Sequence, residues 1–458
     1  MGGLIAALAS PDPRVRVVLA TRLVTVAAAP VTLLLVMTQL APAEQGLYFI
    51  FVNAFALSQL FETGVGSLVV QYASHEFPHI RWGANGSIDA NEPAVLRLRW
   101  ILRRLTRWYC LAAIGLVAVG VPLGLALFST DVKRQVGSTT LLWLTTLAAT
   151  AAYLPLVPIL NTIEGGGRLV AVQRMRLTQA VLIACSSWIL VPTIGGLFAV
   201  AANAVVQFVV AASWLLRSYP KLVAFAWSAA TTNRAGTTVS TSAELQRLYQ
   251  TQIRTAAVWV SAHIAAQGLT PLVLYYHGAS NAGRVGATLA ITTVPYTIGM
   301  SWLQGRLPDF GALAGRGSHD ELDASARNAT AQAMAVCIAG VLAVICAVEA
   351  VQLFVPGLRD RILPALPASA LGGTAVVGLL LQAMAGYIRA YRIEPLVRVL
   401  LIGYAAMLGA AWAAATKFGP GETVGAYFLA SVGIALPATA LVLRHERKKL
   451  VRIDRSAV

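Results

Sequence analysis

Residues 328–355 read NATAQAMAVCIAGVLAVICAVEAVQLFV, twenty-eight residues with a single ionisable side chain, Glu349. A helix of about 20 apolar residues crosses the hydrocarbon core of a bilayer, so this stretch is long enough to span it. The pattern recurs along the whole chain. Apolar runs broken by polar turns fall near 14–40, 45–73, 105–128, 139–163, 169–190 and 194–216, and after a Thr-rich stretch near 251–276, 281–304, 328–355, 365–389, 395–416 and 422–443. Backbone polar groups in lipid must be satisfied within their own segment, so runs of this length fold as helices. Of 458 residues, 57% are hydrophobic and 12% are charged, against about 25% charged in a soluble domain. A soluble enzyme or binding module is therefore excluded. The expectation is an all-α polytopic membrane protein with about 12 transmembrane helices in two six-helix lobes.

Charge placement orients these spans. The chain carries 35 Lys+Arg against 19 Asp+Glu, but the cations sit between apolar runs rather than along one soluble face, which argues against nucleic acid. On the side shared by the termini there are 29 Lys/Arg, among them Arg97, Arg99, Arg103, Arg104, Arg107, Arg217 and Lys221, and on the other side only six. The positive-inside rule then puts both termini in the cytoplasm. The expected organisation is an N-terminal lobe over 1–216, a cytoplasmic linker over 217–250, a C-terminal lobe over 251–443 and a basic cytoplasmic tail over 444–458. Outward loops are short, leaving no room for an extracytoplasmic catalytic domain. With Gly46 laid on Gly283, the first two spans fall on the seventh and eighth at a constant offset of 237. Even-numbered halves keep their orientation, so the lobes are expected to be related by a pseudo-two-fold axis along the membrane normal.

Catalytic and cofactor motifs are weak. His75-Glu76-Phe77-Pro78-His79 matches HExxH, in which two histidines four apart on a helix face one zinc. Pro78 breaks the helix that would align them. No Lys follows a Gly, so there is no GxxxxGK[ST] phosphate loop, and no metal or other cofactor is expected. Cys110, Cys185, Cys337 and Cys346 lack CxxC spacing and read as small hydrophobes. Gly120 and Gly124 have the spacing of a small-residue helix seam.

Ionisable groups inside spans carry more meaning, because each costs about 2.5 to 3.5 kcal/mol near the bilayer centre unless it faces protein or water. They are Arg22, Glu62, Arg174, Arg176, Arg254, His263, Glu349 and Arg389. Arg174, Arg176, Arg254 and Arg389 lie near cytoplasmic ends, where snorkelling to the headgroups is the simplest account. Arg22 is deeper. Asn53, Gln59, Gln71, Gln179, Asn203, Gln207, Gln267 and Gln304 are polar residues within spans; such amides can simply join helices, and together with Arg22 they suggest a hydrated, net-positive vestibule in spans one, two, seven and eight. Glu62, Glu349 and His263 are the groups available for coupling or charge balance.

Several strings resemble one family. EQGLYF (44–49), ETGVGSLVVQYASHE (62–76), GASNAGRVGATLA (278–290), PDFGALAG (308–315), ELD (321–323) and YIRAYRIEP (387–395) are similar to bacterial polysaccharide flippases. These are the O-antigen and capsule-type oligosaccharide-lipid translocases of the multidrug/oligosaccharidyl-lipid/polysaccharide exporter superfamily. The resemblance implies a transporter rather than an enzyme, working by alternating access in the bacterial inner membrane. Its cargo would be a polyprenyl-diphosphate-linked glycan moved from the inner to the outer leaflet. Membrane lipids, and the polymerase and glycosyltransferases of the same pathway, would be its partners. Related peptidoglycan-precursor flippases use cavity arginines on spans one and seven, a role that Arg16, Arg22 and Arg254 match by position. A drug or cation antiporter of the same superfamily is the main rival and should favour acidic cavities. A glycan polymerase or ligase would want a large outward loop.

Overall fold

The computed structural model describes residues 13–63, 69–70, 73–74, 82–83, 86–88, 93–128, 139–227, 239–391 and 393–457. Among them there is no strand, only one isolated antiparallel bridge between Trp82 and Ile88. The chain divides into two units, Met1–Gln252 and Ile253–Val458.

The first unit contains α1 (Pro13–Gln39), α2 (Pro42–Thr63), α3 (Pro93–Leu127), α4 (Thr139–Tyr153), α5 (Leu169–Thr193) and α6 (Gly196–Ser218). Pro155 and Pro158 lack the amide hydrogens that α4 would need to run on, and a 3-10 turn at Leu154–Leu156 carries it into Val157–Ile163. The next break reverses the chain. Gly167 has φ +82°, a left-handed conformation that costs an L side chain about 1 kcal/mol, and it turns α4 into α5 without a longer loop. Residues Thr139–Thr193 are therefore two crossings rather than one 55-residue helix.

The second unit contains α7 (Val239–His277, which starts within the first unit), α8 (Ala279–Gln304), α9 (His319–Phe354), α10 (Ala365–Arg389), α11 (Val397–Ala415) and α12 (Pro420–Ala430). Pro437 cannot donate to residue 433, and a π turn at Ser431–Ala435 carries α12 into a tail helix, Leu436–Ala457. The first and second helices of the two units are interrupted at matching places, before Pro42 and before Ala279, which differ by the offset of 237 that the sequence indicated. Some neighbour pairs correspond, while the close packing of α1 on α5 in the first unit and of α8 on α9 in the second has no equal in the other unit among the described residues. In the first unit α5 packs on α6, α6 on α4, α4 on α3 and α2 on α4; in the second α11 packs on α12, α12 on α10, α10 on α9 and α8 on α10. First and fifth helices are joined by an indole in each unit. Trp188 Nε1 donates to Thr32 Oγ1 at 3.1 Å, and Trp412 Nε1 donates to Tyr276 OH at 2.9 Å.

Seven helical stretches among the described residues are long and apolar enough to cross a membrane. The chain is a multi-pass, all-α membrane protein. In three places it differs from the sequence reading. Helix α3 begins twelve residues before the expected span, because Val95, Leu98 and Leu102 pack with Leu222, Phe225 and Ala226 of a short helix, Pro220–Trp227. Gly120 and Gly124 accommodate a residue of the same chain: Trp143 Nε1 donates to Gly120 O at 2.9 Å, and a Cβ at Gly124 would overlap the indole. Cys337 is buried in the second unit's core, whereas Cys185 and Cys346 are exposed.

Candidate functional site

Four of the ten candidate residues lie on the first helices of the two units, Arg16 and Arg22 on α1 and Arg254 and His263 on α7. Arg16 and Arg22 lie on α1, with Arg22 about 14 Å along the axis from Pro13 at about 1.5 Å per residue. Their side chains lie outside the described residues. Thr21, next to Arg22, donates to Val17 O at 2.9 Å and stands 3.3 Å from Gln173 O of α5, which places this turn of α1 against α5. Asn53 is half-buried on α2. Gln59 and Glu62 are on the same helix, but their side chains fall outside the described residues, as do Gln71 and the whole His75–His79 string.

In the second unit Arg254 and His263 are both on α7; the Arg254 side chain is outside the described residues. His263 is half-buried, and its Nε2 has no hydrogen-bond partner among the described residues. His263, Gln267 and Thr270 are spaced four and three apart, so they share one face of α7. Thr270 is 1% exposed and its hydroxyl is likewise unpartnered. The sequence reading missed Thr270, although the spacing from Gln267 was there to be read. Below this stripe Gly268 lets α7 approach Leu408 of α11.

Other candidates are not brought together. Gln304 is the exposed last residue of α8, and the neighbouring Trp302 donates to Gln332 of α9 at 3.1 Å. Glu349 is exposed seventeen residues further along α9, about 25 Å away along the helix axis. These two cannot belong to one first shell around a cargo.

Polar residues of α5 and α6 bind the helices to each other rather than face a vestibule. Asn203 Oδ1 accepts from Ser186 Oγ at 2.5 Å, its Nδ2 donates to Ser187 Oγ at 2.9 Å, and Gln179 Nε2 donates to Gln207 O at 2.7 Å. Such bonds contribute about 0.6 kcal/mol each in a membrane bundle. Two of the arginines read as snorkelling are ion-paired. Arg176 Nη1 lies 3.1 Å from Glu164 Oε2, and its Nη2 is 3.4 Å from Asn161 Oδ1; Arg389 Nε lies 3.3 Å from Glu394 Oε1. Glu44 of EQGLYF is also spent on structure: its Oε1 accepts the Gly196 N–H at 2.8 Å at the start of α6, beside an apolar cleft of about 340 Å³. Among the described residues no group of His, Cys, Asp and Glu is arranged to hold a metal ion. For Arg16 and Arg22 on α1, and for Arg254 and the His263–Thr270 stripe on α7 apart from Gln267, no contact among the described residues fixes a role.

No protein-family model matches the chain, and no curated protein matches by sequence. Solved structures do match. The chain is similar to the lipid II flippase MurJ in an inward closed conformation, with a TM-score of 0.64 at 12% identity over 93% of this chain and 87% of that one. It is also similar to a multidrug resistance MATE family transporter of the MOP superfamily in an outward-facing conformation, with a TM-score of 0.59 at 13% identity over 99% of both chains. A MOP superfamily transporter from Pyrococcus furiosus, described as having a binding pocket of reversed polarity, gives 0.56 at 13% identity over 97% of both. The fold is therefore one shared with flippases and transporters.

Proposed function

We propose that the chain is an alternating-access flippase that moves a polyprenyl-diphosphate-linked oligosaccharide from the inner to the outer leaflet of the bacterial cytoplasmic membrane, with both termini in the cytoplasm. The observation that carries this reading is the placement of Arg16 and Arg22 on α1 and of Arg254 on α7, the first helices of two units whose fold resembles that of a lipid II flippase. Guanidinium groups hold phosphate oxygens in bidentate fashion and stay charged at any working pH. A diphosphate repays the cost of placing them in a low-dielectric interior. Asn53, Gln59, Gln71 and Gln304 serve the sugar, and Glu62, His263 and Glu349 balance charge or couple an ion. The lobes are 1–216 and 251–443, joined by 217–250. Pathway polymerases and glycosyltransferases supply and consume the cargo.

Moving about two negative charges outward, down an interior-negative potential of roughly 100 mV, is favourable by about 4.6 kcal/mol, so the membrane potential alone drives part of the cycle. A cell lacking this chain should accumulate complete lipid-linked oligosaccharide in the inner leaflet. Arg22→Ala and Arg254→Ala should each fail to clear it, while remaining in the membrane at wild-type levels. Normal translocation with loss of polymer would instead identify a polymerase and sink the reading. The second reading is a drug or cation antiporter, supported by the likeness to MATE transporters over nearly the whole chain. It requires drug efflux from cells expressing the protein and no change in lipid-linked intermediates.

A further inference from the structure

We propose that the tail helix Leu436–Ala457 is a lever that pivots on the π turn Ser431–Ala435 and is held further along by a releasable latch, Arg447 on Asp323. The pivot is fixed on one side and open on the other. Ser431 and Ala435 are buried, and Gly403 of α11 leaves room for the Ala435 methyl, which a Cβ at Gly403 would overlap. Val432, Gly433 and Ile434 are exposed, and a Cβ at Gly433 would meet nothing within 4 Å. A π turn interrupts the regular ladder of helix hydrogen bonds, and Pro437 removes one more donor, so the axis bends here at lower cost than within an α-helix. Among the described residues of the lever Thr439 is the last buried one. From Ala440 to Lys449 none is buried, so packing alone holds this stretch weakly.

Arg447 lies about 18 Å beyond Ala435 along the helix axis. Its guanidinium pairs with Oδ2 of Asp323, in the second turn of α9. The other carboxylate oxygen, Oδ1, accepts from Tyr387 OH of α10 at 2.6 Å, so the acceptor is built into α9 and α10 and keeps its place when the arginine leaves. Among the described residues of the lever, Arg447 alone forms an ion pair with another helix; Lys449 pairs at 2.9 Å with Glu446 of its own. With the arginine side chain 55% and the aspartate 21% exposed, the latch is weak and screened by salt, as a contact that opens and closes must be. Closed, it ties the ends of α9, α10 and the tail helix together. Open, it frees the tail helix to swing about the π turn.

The test uses the full chain in lipid discs, with spin labels carried on unnatural amino acids at Asn328 of α9 and His445 of the lever, both exposed. Pulsed electron resonance reads the distance between them. The wild-type protein in low salt should show one predominant distance. Arg447→Ala, and separately Asp323→Asn, should raise the share of a second distance relative to the first by about two- to fivefold. Wild-type protein in about 1 M salt should move the same way. Lys449→Ala, which breaks only the pair within the lever, should leave the distribution unchanged. Hydrogen exchange over 440–449 should stay slow in every variant, since a lever moves as a helix. An unchanged distance in either Arg447→Ala or Asp323→Asn would overturn the proposal. So would an equal shift in Lys449→Ala, or rapid exchange over 440–449 in Arg447→Ala, which would mean that the helix end frays rather than swings.

Discussion

Helices α3 and α9 hold the third position in their units, yet their N-terminal parts are opposite in charge. Helix α3 carries five arginines between residues 97 and 107, and α9 carries Asp320, Glu321 and Asp323 in its first five residues. The acidic end is tied to its own protein: Asp323 accepts from Tyr387 OH at 2.6 Å and pairs with Arg447 of the tail helix, while His319 Nδ1 lies 3.1 Å from Tyr391 OH. The basic end is held by apolar packing and by Arg99 over Phe225. Two equivalent places in one fold have thus been given different neighbours.

The comparison can be broken at either end. Phe225→Ala should cost most, about 3–5 kcal/mol, because the ring is buried and also supports Arg99; thermal unfolding in detergent should show the loss at any ionic strength. Asp323→Ala leaves the Tyr387 hydroxyl and Arg447 without their acceptor and should cost ~1–3 kcal/mol. Tyr387→Phe removes one hydrogen bond while keeping the ring, and a loss of about 0.5–1.5 kcal/mol is expected by the same measurement. Arg447→Ala should cost less than about 1 kcal/mol, since the arginine is half exposed, and the difference from wild type should vanish in high salt. If Phe225→Ala proved salt-sensitive and Arg447→Ala did not, the assignment of packing to one end and charge to the other would be wrong.

The helices were legible because membrane spans announce themselves by uninterrupted apolar length, and the breaks before Pro42 and Ala279 fall where the turns between apolar runs were read. The roles of polar residues were not. Arg176 and Arg389 read as snorkelling because their partners, Glu164 and Glu394, stand one residue outside the assigned spans, where a span-by-span reading does not look. Gln179 and Asn203 are polar in a hydrophobic run whether they line a path or staple two helices, and only the facing helix tells which. The strings behind the family resemblance gather largely at structural points. ELD and YIRAYRIEP supply Asp323, Tyr387, Arg389 and Glu394 at one end of the second unit, and Glu44 caps α6. Residues of these strings therefore serve contacts within the chain.

The indole of Trp143 occupies the notch that Gly120 and Gly124 leave in α3. Two copies of this chain cannot interlock glycine to glycine along that helix, since the room for a second backbone is taken by an aromatic ring from within. Self-association, where it occurs, must be built on some other surface of the protein.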